Sequence, residues 1–152
     1  MDKVLHDDIK TTIVISPTTK EETEPDGKVK TTYGETLQGD NSASDNYGRV
    51  VNSDGTYGVK DATITIYTGS IDKDIQPGSG SKLEGLSETQ AIGAVATHED
   101  VHASNKSEIN KDLHFEVAHP NDKNGRPDKE VKPNQAEQKV IDAQKSKNQQ
   151  QQ

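Results

Sequence analysis

Apolar residues are sparse along this chain, and they fall into short runs whose periods differ. Residues 11–16, TTIVIS, are almost wholly β-branched and predict a strand. Residues 61–67, DATITIY, alternate Ala62, Ile64 and Ile66 with Thr63, Thr65 and Tyr67, the period-two pattern of a half-buried strand. Between them, Asp54 and Gly55 separate two short apolar stretches within residues 48–60, which predicts a hairpin.

The period then lengthens. Residues 86–104 predict a helix, with Ser87 as its N-cap, Gln90 closing a capping box and Leu86 able to staple onto Ala91. Residues 113–119, LHFEVAH, alternate again and predict a strand ended by Pro120. Residues 134–145 predict a second helix capped by Asn134. Residues 16–28, 69–82 and 121–133 read as loops, and 146–152 as a disordered polar tail. Strands early and helices late predict an α+β fold: a short antiparallel sheet packed on one helix and on a second, C-terminal helix. Residues 1–145 form one domain in this reading, with residues 1–30 partly flexible.

Composition narrows the picture. Of 152 residues only 27% are hydrophobic and 3% aromatic, so the core is small. The net charge of −8 argues against nucleic acid or an anionic membrane as partner. Cysteine is absent, which removes disulfides and thiolate metal sites. The first ten residues lack the basic-then-apolar order of a signal peptide, and no apolar run approaches a membrane span.

The helix at 86–104 carries the chemistry. His98, Glu99 and His102 form a His-Glu-x-x-His motif that arises by chance about once in a hundred chains of this composition. On a helical wheel His98 and His102 share the small, apolar stripe of Ala91, Ala94, Val95 and Val101, the side expected to be buried. Two imidazoles one turn apart can share a Zn²⁺ ion, which lowers the pKa of a bound water to roughly 7. Glu99, about 100° round the helix, is placed to act on that water as general base rather than to ligate.

A third ligand must come from elsewhere. Glu108, Asp112, His114, Glu116, His119, Glu130 and Glu137 all follow the motif. Glu108 stands six residues after His102, the metzincin position. That class also requires a glycine where Asn105 stands and a later methionine turn, and the single methionine is Met1. Glu137, on the apolar side of the second helix with Val140 and Ile141, is the better candidate, unless it closes a capping box on Asn134. His114 and His119 come next as ligands. His119 and Tyr67 are candidate stabilisers of the transition-state oxyanion.

The run THEDVHAS, a polar linker and then KEVKPNQAEQKVIDAQ resembles the small zinc-metallopeptidase-like domains at the C-termini of bacterial RHS/YD-repeat and other polymorphic toxins. The resemblance spans roughly residues 62–145 and is specific at His98, Glu99, His102 and Glu137. The charge of Asp100 and the polar Ser104 depart from the usual helix of that class. The resemblance implies a gluzincin-like plan, Zn²⁺ as cofactor, a protein or peptide substrate and an immunity protein as partner. It also implies secretion, or delivery into a target cell as part of a larger bacterial protein, which would suit a chain that begins without an export signal.

Three functions follow from these observations. The first is a zinc-dependent peptidase acting as a toxin effector. The second is a metal-stabilised structural or binding module without turnover. The third is a metal-free adhesive or interaction domain, suggested by the Thr-, Asn-, Asp- and Gly-rich first half.

Overall fold

The computed structural model describes residues 9–39 and 49–151. Among the described residues, seven strands and four helices follow one another as β1 (Lys10–Ser16), β2 (Lys20–Thr23), β3 (Val29–Thr32), β4 (Gly34–Gln38), β5 (Arg49–Val51), β6 (Tyr57–Val59), β7 (Asp61–Tyr67), α1 (Thr68–Asp74), α2 (Glu88–Ser104), α3 (Lys106–Ala118) and α4 (Val131–Gln150). The class is α+β, as the pattern predicts.

The main sheet has three strands in the order β1-β7-β4, with β7 in the middle. It is mixed rather than antiparallel as expected: β1 runs parallel to β7, pairing Ile13 with Ile64 and Ile15 with Ile66. β4 runs antiparallel to β7, pairing Thr36 with Ile64. The parallel pair is possible because some forty residues, including two small hairpins, separate β1 from β7 and supply the crossover that parallel strands need. One hairpin joins β2 to β3. The other joins β5 to β6 across the predicted turn, where Gly55 adopts φ 83° and Asp54 Oδ1 accepts from Thr56 N at 3.0 Å.

Ala62, Ile64 and Ile66 of β7 are buried, and their face meets Ala91, Ala94 and Val95 of α2, with Ile71, Leu83, Leu86 and Ile141 completing the core. The predicted start of α2 is correct in detail. Ser87 Oγ accepts from Gln90 N at 3.2 Å while Gln90 Oε1 accepts from Ser87 N at 3.0 Å. A second cluster of Val59, Ile109 and Leu113 joins α3 to β6.

Four other expectations are corrected. Residues 113–119 are not a strand: 113–118 lie in α3 and His119 is its C-cap, while the N-cap Asn105 accepts from Glu108 N, and Ile109 and Leu113 are buried one helical turn apart. Here a strong cap and an i, i+4 apolar pair outweigh the alternation of Leu113, Phe115 and Val117. Residues 68–74 form α1, which takes up the start of the loop expected at 69–82, because fully buried Ile71 anchors that turn in the core. α4 begins at Val131, so Asn134 is not its cap, and it continues through the expected tail to Gln150. Along that extension Asn148 donates to the oxygens of Gly85 and Gln90. Finally, β2 forms within residues 16–28, read as a loop; β1, β2 and the start of β3 fall in the segment expected to be partly flexible, whose first eight residues lie outside the described ones. Among the described residues no helix is long and apolar enough to cross a membrane.

Candidate metal centre

Three residues of β4 project toward α2 with the period of two that a strand imposes. Gly34 passes so close that a Cβ there would stand 2.8 Å from Val95 Cγ1 and from Glu99 Cγ. Thr36 Oγ1 donates to Glu99 Oε2 at 2.8 Å and also lies 3.0 Å from Glu99 O. Gln38 Nε2 donates to His102 O at 2.8 Å. The edge strand is therefore fastened along the helix that carries the motif. Asp100, the charged departure within the motif, is exposed on the far side.

β4, α2 and the start of α4 enclose an open groove of about 940 Å³, lined by His98, Glu99 and His102 and walled by Lys82, Glu130 and Glu137. The two imidazole rings lie 5.4 Å apart between centroids, and each side chain is about 15% exposed. Glu130 Oε2 lies 3.1 Å from His98 Nε2 and 3.3 Å from His102 Nε2. One atom from each of these three residues falls within 4.8 Å of the others. Four-coordinate zinc with bonds of ~2.0–2.1 Å separates its ligand atoms by roughly 3.3 Å. These two separations are close to that edge, so the three residues could hold one metal ion.

Glu137 lies behind His98. Its carboxylate is 3% exposed, accepts from Lys82 Nζ at 2.5 Å and approaches His98 Nδ1 to 3.3 Å. That last approach lacks hydrogen-bond geometry, so His98 Nδ1 is a buried nitrogen without a hydrogen-bond partner among the described residues. The His98 ring thus stands between two carboxylates, Glu130 at Nε2 and Glu137 on the Nδ1 side.

Charge follows geometry. Burial lowers the pKa of His98, but Glu130 and Glu137 outweigh it and raise the imidazole to about 9. His102 and His98 together hold Glu130 well below the usual carboxylate range. Burial would raise Glu137, yet His98 and Lys82 keep it low. Glu99 goes the other way. Its burial under β4 raises its pKa despite the Thr36 hydroxyl and the charges of His98 and His102.

The remaining candidates fall elsewhere. The Tyr67 hydroxyl donates to Glu35 Oε2 at 2.5 Å, beside Lys20, and does not line the groove. His119 caps the end of α3, stacks on Phe115 at 4.2 Å and lines a different depression. His114 packs on Tyr57. Asn105, where the metzincin class requires glycine, is extended at φ −75° and caps α3.

Sequence reasoning placed His98, Glu99 and His102 together, as they are. It named Glu130 among several carboxylates but assigned it to a loop, and it missed Gly34, Thr36 and Lys82. The alternation of Gly34, Thr36 and Gln38 was the available signal for β4. Searched against protein-family models, curated proteins and solved structures, the chain matches none.

Proposed function

We propose that this groove is the active site of a zinc-dependent peptidase, acting as the effector domain of a bacterial toxin. The observation that carries the reading is the approach of Glu130 Oε2 to both His98 Nε2, at 3.1 Å, and His102 Nε2, at 3.3 Å, with the buried carboxyl of Glu99 on the helix of the two histidines.

His98, His102 and Glu130 would hold the ion. A bound Zn²⁺ supplies Lewis acidity, polarising a carbonyl and acidifying water. The protein's own groups do the rest. Glu99 accepts a proton at its carboxylate, and burial makes that carboxylate more basic than an exposed one, which suits a general base working near neutral pH. Thr36 Oγ1 fixes its orientation through Oε2. Glu137 sits on the Nδ1 side of His98, where a carboxylate turns the opposite ring nitrogen toward a metal. Lys82 keeps Glu137 ionised.

The decisive experiment is metal analysis of the purified protein with cleavage of unfolded protein substrates by wild type and Glu99→Gln. Wild type should take up one equivalent of zinc and cleave. Glu99→Gln should keep the zinc and lose activity by ~10² or more, the scale of a lost general base. Less than about a tenth of an equivalent of any transition metal after zinc is offered would sink the metal reading. Zinc uptake by both forms without cleavage by either would favour a metal-stabilised module instead.

A further inference from the structure

Glu108, which the motif spacing alone cannot place, occupies a conspicuous position. It lies in the first turn of α3, its side chain is 3% exposed, and it is salt-bridged to three cations. Lys111 is the local one, at i+3 and 3.1 Å. The other two come from the segment that carries Glu130. Arg126 Nη2 reaches Glu108 Oε2 at 2.5 Å, and Lys132 Nζ reaches Oε1 at 2.7 Å. Glu130 thus stands between two cations fastened to one buried carboxylate.

The nearest apolar anchor is Pro133, buried in the first turn of α4 beside Lys132. Between His119 and Val131 no residue is buried. The segment is held by polar contacts, chief among them Arg126, which also donates through Nε to Asp112 at 2.8 Å and through Nη1 to Asp128 at 2.7 Å. Backbone bonds from Lys129 N to Arg126 O and from Val131 N to Asp128 O make a tight turn of the stretch that delivers Glu130. The Glu130 side chain itself is 47% exposed, so its own burial cannot fix it. A charged group removed from water is costly unless its geometry is satisfied on all sides, and for Glu108 two of the three cations that satisfy it are the residues that bracket Glu130.

We propose that Glu108 is the positioning residue of the metal centre, holding Glu130 against His98 and His102 through Arg126 and Lys132. The inference rests on the reading of Glu130 as a ligand. Glu108 lies on a different helix from the histidines and acts only through the segment it clamps.

The test is a double-mutant cycle on the full chain, read by titration with Co²⁺, whose visible absorption reports its ligand set. Glu108→Gln should weaken Co²⁺ binding at least ten-fold, and its spectrum at saturation should move toward that of Glu130→Gln. In a Glu130→Gln background the same change should cost less than about two-fold, because the ligand it positions is already gone. Equal weakening in both backgrounds, or unchanged affinity in Glu108→Gln, would overturn the proposal while leaving the metal reading intact. Wild type that takes up no Co²⁺, or Glu130→Gln that binds it as well as wild type, would remove the ligand reading and the proposal together. If circular dichroism shows Glu108→Gln unfolded, Lys132→Gln and Arg126→Gln replace it, judged by the same comparison.

Discussion

Thr36 Oγ1 and Glu99 Oε2, 63 residues apart in the chain, lie 2.8 Å from each other and join the edge strand to the motif helix. Because this bond favours the ionised carboxylate, it lowers a Glu99 pKa that burial raises. Thr36→Val keeps the shape and removes the donor. The acid limb of the pH–rate profile should then move to higher pH, since the base stays protonated longer. Stability should fall by about 1.5–3 kcal/mol, the range for a hydrogen bond to a charged group. A limb that stays in place would mean that Glu99 is not the titrating base.

Gly34 is where the strand crosses closest to that carboxylate. In Gly34→Ala the new methyl would stand 2.8 Å from Glu99 Cγ and from Val95 Cγ1, so strand or helix must shift. Overpacking of this kind costs on the order of 1–3 kcal/mol. The melting temperature and the activity should both fall, while zinc affinity holds within a few-fold because no ligand is touched. Unchanged melting would show that β4 does not press on α2.

Glu130 and Glu137 approach His98 from its two ring nitrogens, and their variants should separate a ligand from an orienting group. Glu130→Gln should cost more zinc affinity than Glu137→Gln, for which a loss of 10–100-fold is the usual scale of a lost outer-shell partner. Zinc competition titrations read both. The reverse order would return Glu137 to the ligand role expected from the sequence.

Acid should weaken the clamp on α3. Hydrogen bonds from Lys132, then Lys111 and Arg126, outweigh burial and hold Glu108 at about 2 against an ordinary value of 4.5. A folded value below the unfolded one contributes stability in full above about pH 4.5, and that contribution is lost as pH falls toward 2. Wild type should therefore melt higher than Glu108→Gln at pH 6, by several degrees, and the gap should narrow by pH 3. Thermal melts across that range check it, and a gap independent of pH would contradict the assignment.

The sequence by itself determined what short-range physics controls. The capping box at Ser87 and Gln90, the alternation of Ala62, Ile64 and Ile66, and the turn at Asp54 and Gly55 are local patterns, and each stands in the structure as read. So does the pairing of His98 with His102, because a helix fixes residues four apart on one side. What lay beyond one helix or strand was settled by tertiary structure. The alternation at 113–119 yielded to a helix whose cap and buried Ile109 lie upstream of it. β1 joined the sheet in parallel because a long crossover allowed it, which no local pattern records. Glu130 reaches the histidines from the N-cap of α4, after a stretch with no buried residue back to His119, and ion pairs to Glu108 on another helix fasten its neighbours Arg126 and Lys132. Periodicity reports burial, and a side chain placed by ion pairs leaves no such trace in the sequence.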